Sequence, residues 1–378
     1  MMNRIFRLSF IASALCALLL LLSGGSTGAR VSAQVQQQGN PLTQEELVRL
    51  VRQLPTQPSL RDELIETIRR RGIGFPLTSG VLSVVATKSG NDALLRRTLE
   101  EAERRRLNPA VSALPPVEEG LGLWERARAA TLEAAEAMPD FVVREQIIRS
   151  IAQGATKKWN VSDRLTLAVS YRAGEGEQYK LLAVNGLPLT APGDADAGLE
   201  KVGGATSTGE YVSRLATLFL ESSKTRFRMV DTDTLRGRRT IVYEYEIERA
   251  NSRGLLTFGK GEPEEQQTNV GDRGRVWIDR ETNRVLRLES SSTEIPIDFP
   301  IRQASRAIDY EWVTIADRQY LLPSRAVVEM SAIVRDRLVE SRNDVRFRNY
   351  QKYGTEIKII EEDIIEDEEA PPQPKSKP

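Results

Sequence analysis

At 378 residues, with 53 basic and 53 acidic side chains and 40% hydrophobic residues, the chain has the composition of a soluble globular protein long enough for two domains. It contains no histidine, which excludes every histidine-dependent hydrolytic triad and removes the commonest general base and nitrogen metal ligand. The balanced charge gives no support to nucleic-acid binding, and the single cysteine, Cys16, lies in an apolar N-terminal run, so no disulfide framework is expected.

Residues 1–33 read as a secretory signal. Arg4 and Arg7 lead, an apolar run extends from Phe10 to Leu22, and small residues follow up to Val31-Ser32-Ala33. That run is about 13 residues, against the ~20 a helix needs to span a bilayer. The expected product of cleavage after Ala33 is periplasmic or secreted; the alternative is a chain anchored in the membrane by an uncleaved N-terminal helix. Loss of Arg4, Arg7 and Arg30 leaves the remainder with three more carboxylates than cations. Leu15 before Cys16 speaks against lipid modification of that cysteine.

Residues 41–107 form a helical module. Thr43 with Glu46 makes a capping-box pair ahead of Leu47, Val48, Leu50 and Val51, and Pro55 and Pro58 end that helix. A second helix runs from about Ser59 to Arg71 and stops at Gly72; a third opens at Thr78 and closes at Gly90. The fourth carries Leu94, Leu95 and Leu99 and is expected to dissolve in the charged run Glu100–Arg106. The phrase RRRGIGFPLT, Arg69 to Thr78, resembles a helical module of exported proteins of environmental bacteria, which implies no activity. Its Gly72 and Gly74 are better explained as helix-stop residues than as a ligand loop, since no strand precedes them.

Residues 108–122 are rich in Pro and Gly and read as a linker. A helix from Leu123 to about Met138 then opens an α+β domain at 123–358. Strands begin near Trp159: Leu165, Leu167, Val169 and Tyr171 alternate with polar residues and pair as a hairpin with Tyr179–Ala183 across Gly174–Gly176. A helix at about Glu210–Glu221 interrupts the series. Alternation resumes through Ile241, Tyr243 and Tyr245, then Val276 and Ile278, then Ile308, Tyr310 and Trp312. Eight to ten short antiparallel strands in series suit a meander. Residues 359–378 carry seven carboxylates between Glu361 and Glu369 and end Pro-rich, the composition of a disordered tail.

Gly-x-Val-Trp-Ile-Asp at Gly274–Asp279, the turn at Thr282-Asn283, Val-Leu-Arg-Leu-Glu at Val285–Glu289, and Tyr-Leu-Leu-Pro at Tyr320–Pro323 carry a resemblance. The pattern is similar to the periplasmic lipoprotein-carrier-like superfamily, which includes the outer-membrane lipoprotein carrier and receptor and the periplasmic regulators of envelope-stress sigma factors. The resemblance covers about residues 125–350. It implies a strongly curved antiparallel sheet, an open half-barrel with helices against its concave face, and as ligand a lipid or a lipoprotein acyl chain. The helical module and the long loops at 191 and 259 depart from the small carriers, and the module is the expected surface for an envelope protein partner.

The candidate pocket lining is the set of apolar alternates Ile241, Tyr243, Tyr245, Val276, Ile278, Ile308, Tyr310 and Trp312. The same residues serve equally as a dry core, and alternation alone does not separate the two. An acyl chain would gain ~0.8 kcal/mol per buried methylene in such a pocket. Chemistry is not legible. Asp231 and Asp233 lack the spacing of phosphate-transferring hydrolases and read as turn residues, and Asp194 and Asp196 carry only half of a calcium-loop pattern. No nucleophile elbow or phosphate loop occurs. The expectation is an exported, non-catalytic protein without cofactor or metal that binds a lipid-like ligand; the alternatives are an envelope scaffold with a filled core or, last, an enzyme of unrecognised type.

Overall fold

A computed structural model describes residues 39–189, 203–206, 211–260 and 263–354. The signal segment, the Asp194/Asp196 loop and the acidic tail lie outside the described residues.

The helical module comprises α1 (Gln44–Gln53), α2 (Leu60–Arg71), α3 (Ser79–Ser89) and α4 (Ala93–Leu107). Thr43 caps α1 by accepting from the Glu46 N–H at 3.2 Å. Only half of the capping box forms, because the Glu46 carboxylate turns to Arg71 at 2.7 and 2.8 Å. Gly72 and Gly90 end α2 and α3 with φ of 68° and 66°, in the region glycine enters most cheaply. Leu42, Leu47, Val51, Ile68, Leu95 and Leu99 are buried between the helices. The fourth helix does not dissolve at Glu100. It continues to Leu107 because its charged last turns find partners on the sheet.

A fifth helix, α5 (Val117–Glu136), starts six residues inside the stretch read as a linker. Its buried residues Gly120, Leu123, Trp124, Ala127 and Thr131 recur at helical spacing and form one stripe against the sheet. Gly120 belongs to that stripe because a Cβ there would lie 2.7 Å from the Met229 sulfur. Tyr243 donates to its carbonyl at 2.7 Å.

Twelve strands follow: β1 (Phe141–Gln153), β2 (Asn160–Arg172), β3 (Gly176–Val184), β4 (Leu187–Pro188), β5 (Arg226–Leu235), β6 (Arg238–Ile247), β7 (Gly254–Phe258), β8 (Gln266–Asp279), β9 (Val285–Thr293), β10 (Ile301–Ile315), β11 (Arg318–Val334) and β12 (Arg337–Lys352), with α6 (Val212–Phe219) between β4 and β5. The sheet therefore begins at Phe141, earlier than the alternation near Trp159 suggests. Its order is β4-β3-β2-β1-β12-β11-β10-β9-β8-β6-β5, with β7 on β8, and every pairing is antiparallel. From β5 the chain meanders back until β12 joins β1, which places the first and last long strands side by side. Among the described residues β4 and β5 end this order without pairing to each other, so the barrel is open.

The Ile-Asp turn motif has a clear role at the β8–β9 hairpin. Asp279 is fully buried and accepts from the Glu281 N–H at 3.3 Å and from the Thr282 hydroxyl, while Asn283 takes a φ of 56°. Five residues earlier, a Cβ on Gly274 would stand 1.8 Å from the Glu289 carbonyl oxygen of β9. Backbone cannot give way as a side chain can. Gly274→Ala is expected to lower stability by about 2–3 kcal/mol in chemical denaturation, a loss of overpacking type; an unchanged midpoint would contradict this close approach.

Candidate ligand-binding site

Seven of the eight candidate residues come together. Ile241, Tyr243 and Tyr245 on β6, Val276 and Ile278 on β8, and Ile308 and Tyr310 on β10 all lie in the core of the sheet's inner face. That core also takes in residues from the opposite flank of the sheet, such as Leu167 and Val345, which is possible only because the sheet curves round it. Its centre belongs to the covering helices. The Trp124 ring of α5 lies 4.7 Å from Phe219 of α6 and 5.5 Å from Tyr243, centroid to centroid. Trp312 stands apart from this core and is 40% exposed.

The outer face of the same strands is charged, and α2 and α4 cover it. Asp231 and Asp233 are strand residues of β5, not turn residues; the turn that follows is made by Arg236 and Gly237 with positive φ. The Asp233 carboxylate accepts from Arg97 and Arg104 of α4 at 3.2 and 3.0 Å and from the Trp277 indole at 3.2 Å. Asp231 accepts from Arg105 at 2.6 Å. On α2, Arg69 donates to Glu289 at 2.7 Å, and Arg61 reaches Asp92 at 2.8 Å and Glu329 at 3.3 Å. Asp92 serves twice, since it also caps α4 through the Leu95 N–H. Sequence reasoning missed this seam because strand charges opposite apolar alternates look like a solvated face. The signal was the arginine spacing on α4, where Arg97, Arg104 and Arg105 share one side.

Burial and charge pull the carboxyls of the seam in opposite directions. Burial by itself would raise Glu289, but Arg69 and Arg287, then Arg97, outweigh it and hold the carboxyl at about 2. Glu101 is raised, first by burial and then by the charge of Asp233, although Arg97 lies 2.9 Å away without the alignment of a hydrogen bond. Burial raises Asp231 in the same way, against the pull of Arg105. A depressed carboxyl contributes stability that is present above its unfolded value, 4.5 for Glu289, and is lost as pH falls through about 2. A raised carboxyl contributes stability present below its unfolded value and lost as pH rises through its folded one. Denaturation midpoints are therefore expected to climb from about pH 2 to 4.5 and to fall again above it as Glu101 and Asp231 ionise. Glu289→Gln should flatten the acid limb and, because the Glu289 charge also helps to raise Glu101, soften the fall above it; an acid limb identical in that variant would contradict the assignment.

Between α2, α4 and the outer face of β5–β11 lies a cavity of about 1000 Å³. Its helical wall presents Arg61, Ile65, Arg69 and Leu94, and on the strand side small residues, Ser291, Ser305, Ala307 and Val327, lie among charged ones such as Arg273 and Glu246. Glu101 and Asp231, the raised acids, are not part of the lining. Such a chamber can hold a small molecule by hydrogen bonds and charge. Among the described residues no group of three or more acidic side chains could hold a metal ion. No described helix is long and apolar enough to cross a membrane.

These features define an α+β protein built on an open, curved antiparallel sheet. No protein-family model matches the chain, and no curated protein matches it. Among solved structures, a DUF1329 family protein from Desulfovibrio piger aligns at 11% identity over 61% of this chain and 94% of that one, with a TM-score of 0.26. A likeness of that size carries no argument about fold or function. Of what the lipoprotein-carrier-like resemblance implied, the large open antiparallel sheet is present; membership of that superfamily is not confirmed.

Proposed function

We propose that the chain is an exported, non-catalytic binding protein of the cell envelope whose ligand occupies the cavity between the helical module and the outer face of the sheet. The observation that carries this reading is the contrast between the two faces. The inner face, where a lipid-like ligand of carrier type would lie, is filled by the chain's own Trp124, Leu218 and Phe219. An acyl chain there would have to displace α5 or α6 and expose their apolar stripes to water, losing about 25 cal/mol for each Å² uncovered. The outer face keeps about 1000 Å³ of space at the upper end of the range typical of small-molecule sites. Native mass spectrometry of protein purified from an envelope fraction tests the reading. A retained small-molecule mass is expected in the wild type and is lost in Ala307→Trp, which fills the cavity floor; a wild type that is uniformly ligand-free overturns it.

A second reading, an envelope scaffold, draws on one further observation. Leu107 at the end of α4, Val111 and Leu114 in the connection and Leu121 in the first turns of α5 are each at least 36% exposed. A photo-crosslinker at Leu114 is then expected to capture one defined envelope protein in living cells, and a smear or no product removes this reading.

A further inference from the structure

Charges on the outer face form ladders across the strands. Arg228, Glu244, Arg275 and Glu289 are register partners in turn on β5, β6, β8 and β9, so positive and negative alternate. Two residues along, a parallel ladder begins in the same way with Arg226, Glu246 and Arg273. Arg226 holds Glu246 at 2.9 Å. At the fourth position, where the first ladder has Glu289, the second has Ser291, and the next partner on β10 is Ser305. The row ends on Glu329 of β11, which Arg61 holds at 3.3 Å and Lys157 at 2.6 Å.

The missing carboxylate leaves Arg273 exposed, and it makes no ion pair or side-chain hydrogen bond among the described residues. Ser291, Ser305 and the adjacent Gln303 likewise make no side-chain hydrogen bond among them. All four line the cavity. Ten arginines and eight carboxylates line it in total, an excess of two positive charges without a single lysine. Neighbouring strands lie about 4.8 Å apart, so one guanidinium fork and two hydroxyls stand within reach of a single small group. Such a row donates to an oxyanion, because arginine offers a planar fork and serine a rotatable O–H.

We infer that the break in the ladder is an anion seat. The cavity takes a ligand bearing a carboxylate or phosphate group, which sits on Arg273 with Ser291, Gln303 and Ser305 and supplies the negative charge the ladder lacks. This rests on the cavity being the ligand site.

Calorimetric titration of the full chain with inorganic phosphate and, separately, with succinate tests it against sodium chloride of matched ionic strength; the two arms distinguish tetrahedral from planar anions. Saturable binding of at least one is expected, weakened tenfold or more in Arg273→Gln and again in Ser291→Glu. The second variant completes the alternation, so it removes the seat while keeping or raising the melting temperature. No binding beyond the chloride control, or binding equal in both variants, overturns the inference. If the mass retained from an envelope fraction is lost in Ala307→Trp but kept in Arg273→Gln, the cavity stands as the ligand site and the anion seat falls.

Discussion

Trp124→Ala is expected to be the most damaging single substitution in the chain, at about 3–5 kcal/mol. The ring is 2% exposed and packs on Phe219, Phe227 and Tyr243, so it ties α5 to α6 and to two strands at once. Truncation removes the transfer energy of the indole and leaves a void that a curved sheet and two helices can close only in part. The void makes a second measurement possible. A dry apolar cavity binds small apolar molecules, so benzene is expected to raise the melting temperature of the variant and leave the wild type unchanged. If benzene stabilises both equally, the inner face already holds space and is not filled as described.

Glu289→Ala comes next, at about 3–4 kcal/mol in the same measurement. Glu289 lies between Arg69 at 2.7 Å and Arg287 at 3.0 Å, and all three side chains are at most 10% exposed. Removing the carboxylate strands two buried guanidiniums. The loss stops short of the full penalty because Arg287 keeps Asp309 at 2.6 Å and Arg69 keeps Glu66 at 3.1 Å. The penalty comes from the unpaired charge and not from the lost attraction, so a companion variant reads the opposite way. Arg69→Met together with Glu289→Met should recover most of the stability, since apolar replacement of a buried pair is often neutral. A double variant as unstable as Glu289→Ala would mean that the pair itself holds α2 on the sheet.

Both substitutions probe positions that were unequally legible. Tyr243, Val276 and Ile308 could be assigned to one face from their alternation with Glu244, Trp277 and Asp309, because a strand presents every second residue to the same side. The helix caps at Thr43 and Thr78 and the stop at Gly90 were equally local and equally readable. The start of α5 was not. Pro115, Pro116 and two glycines argue for a linker residue by residue, and the helix there is held by tertiary contacts, Gly120 with Met229 and Tyr243 and Glu119 with Arg280. The strand at Phe141–Gln153 was not read either: it is buried on both faces over its first residues, so it shows no alternation, and one of its two neighbours, β12, lies some two hundred residues away along the chain.

The cavity was illegible for a related reason. Arg273 and Arg275 look alike in the sequence, both polar alternates of one strand. They differ only in what stands opposite, Ser291 for the first and Glu289 for the second. By itself the sequence determined the fold class, the two faces of the sheet, most helix ends and the absence of any recognisable catalytic motif. All of these depend on backbone geometry and periodicity within a few residues. The tertiary structure alone decided which face is filled and which keeps a cavity, because that depends on two sets of helices, α5 with α6 and α2 with α4, docking on opposite sides of one sheet. Burial and ion pairing between residues distant in sequence set that arrangement, and no local pattern encodes it.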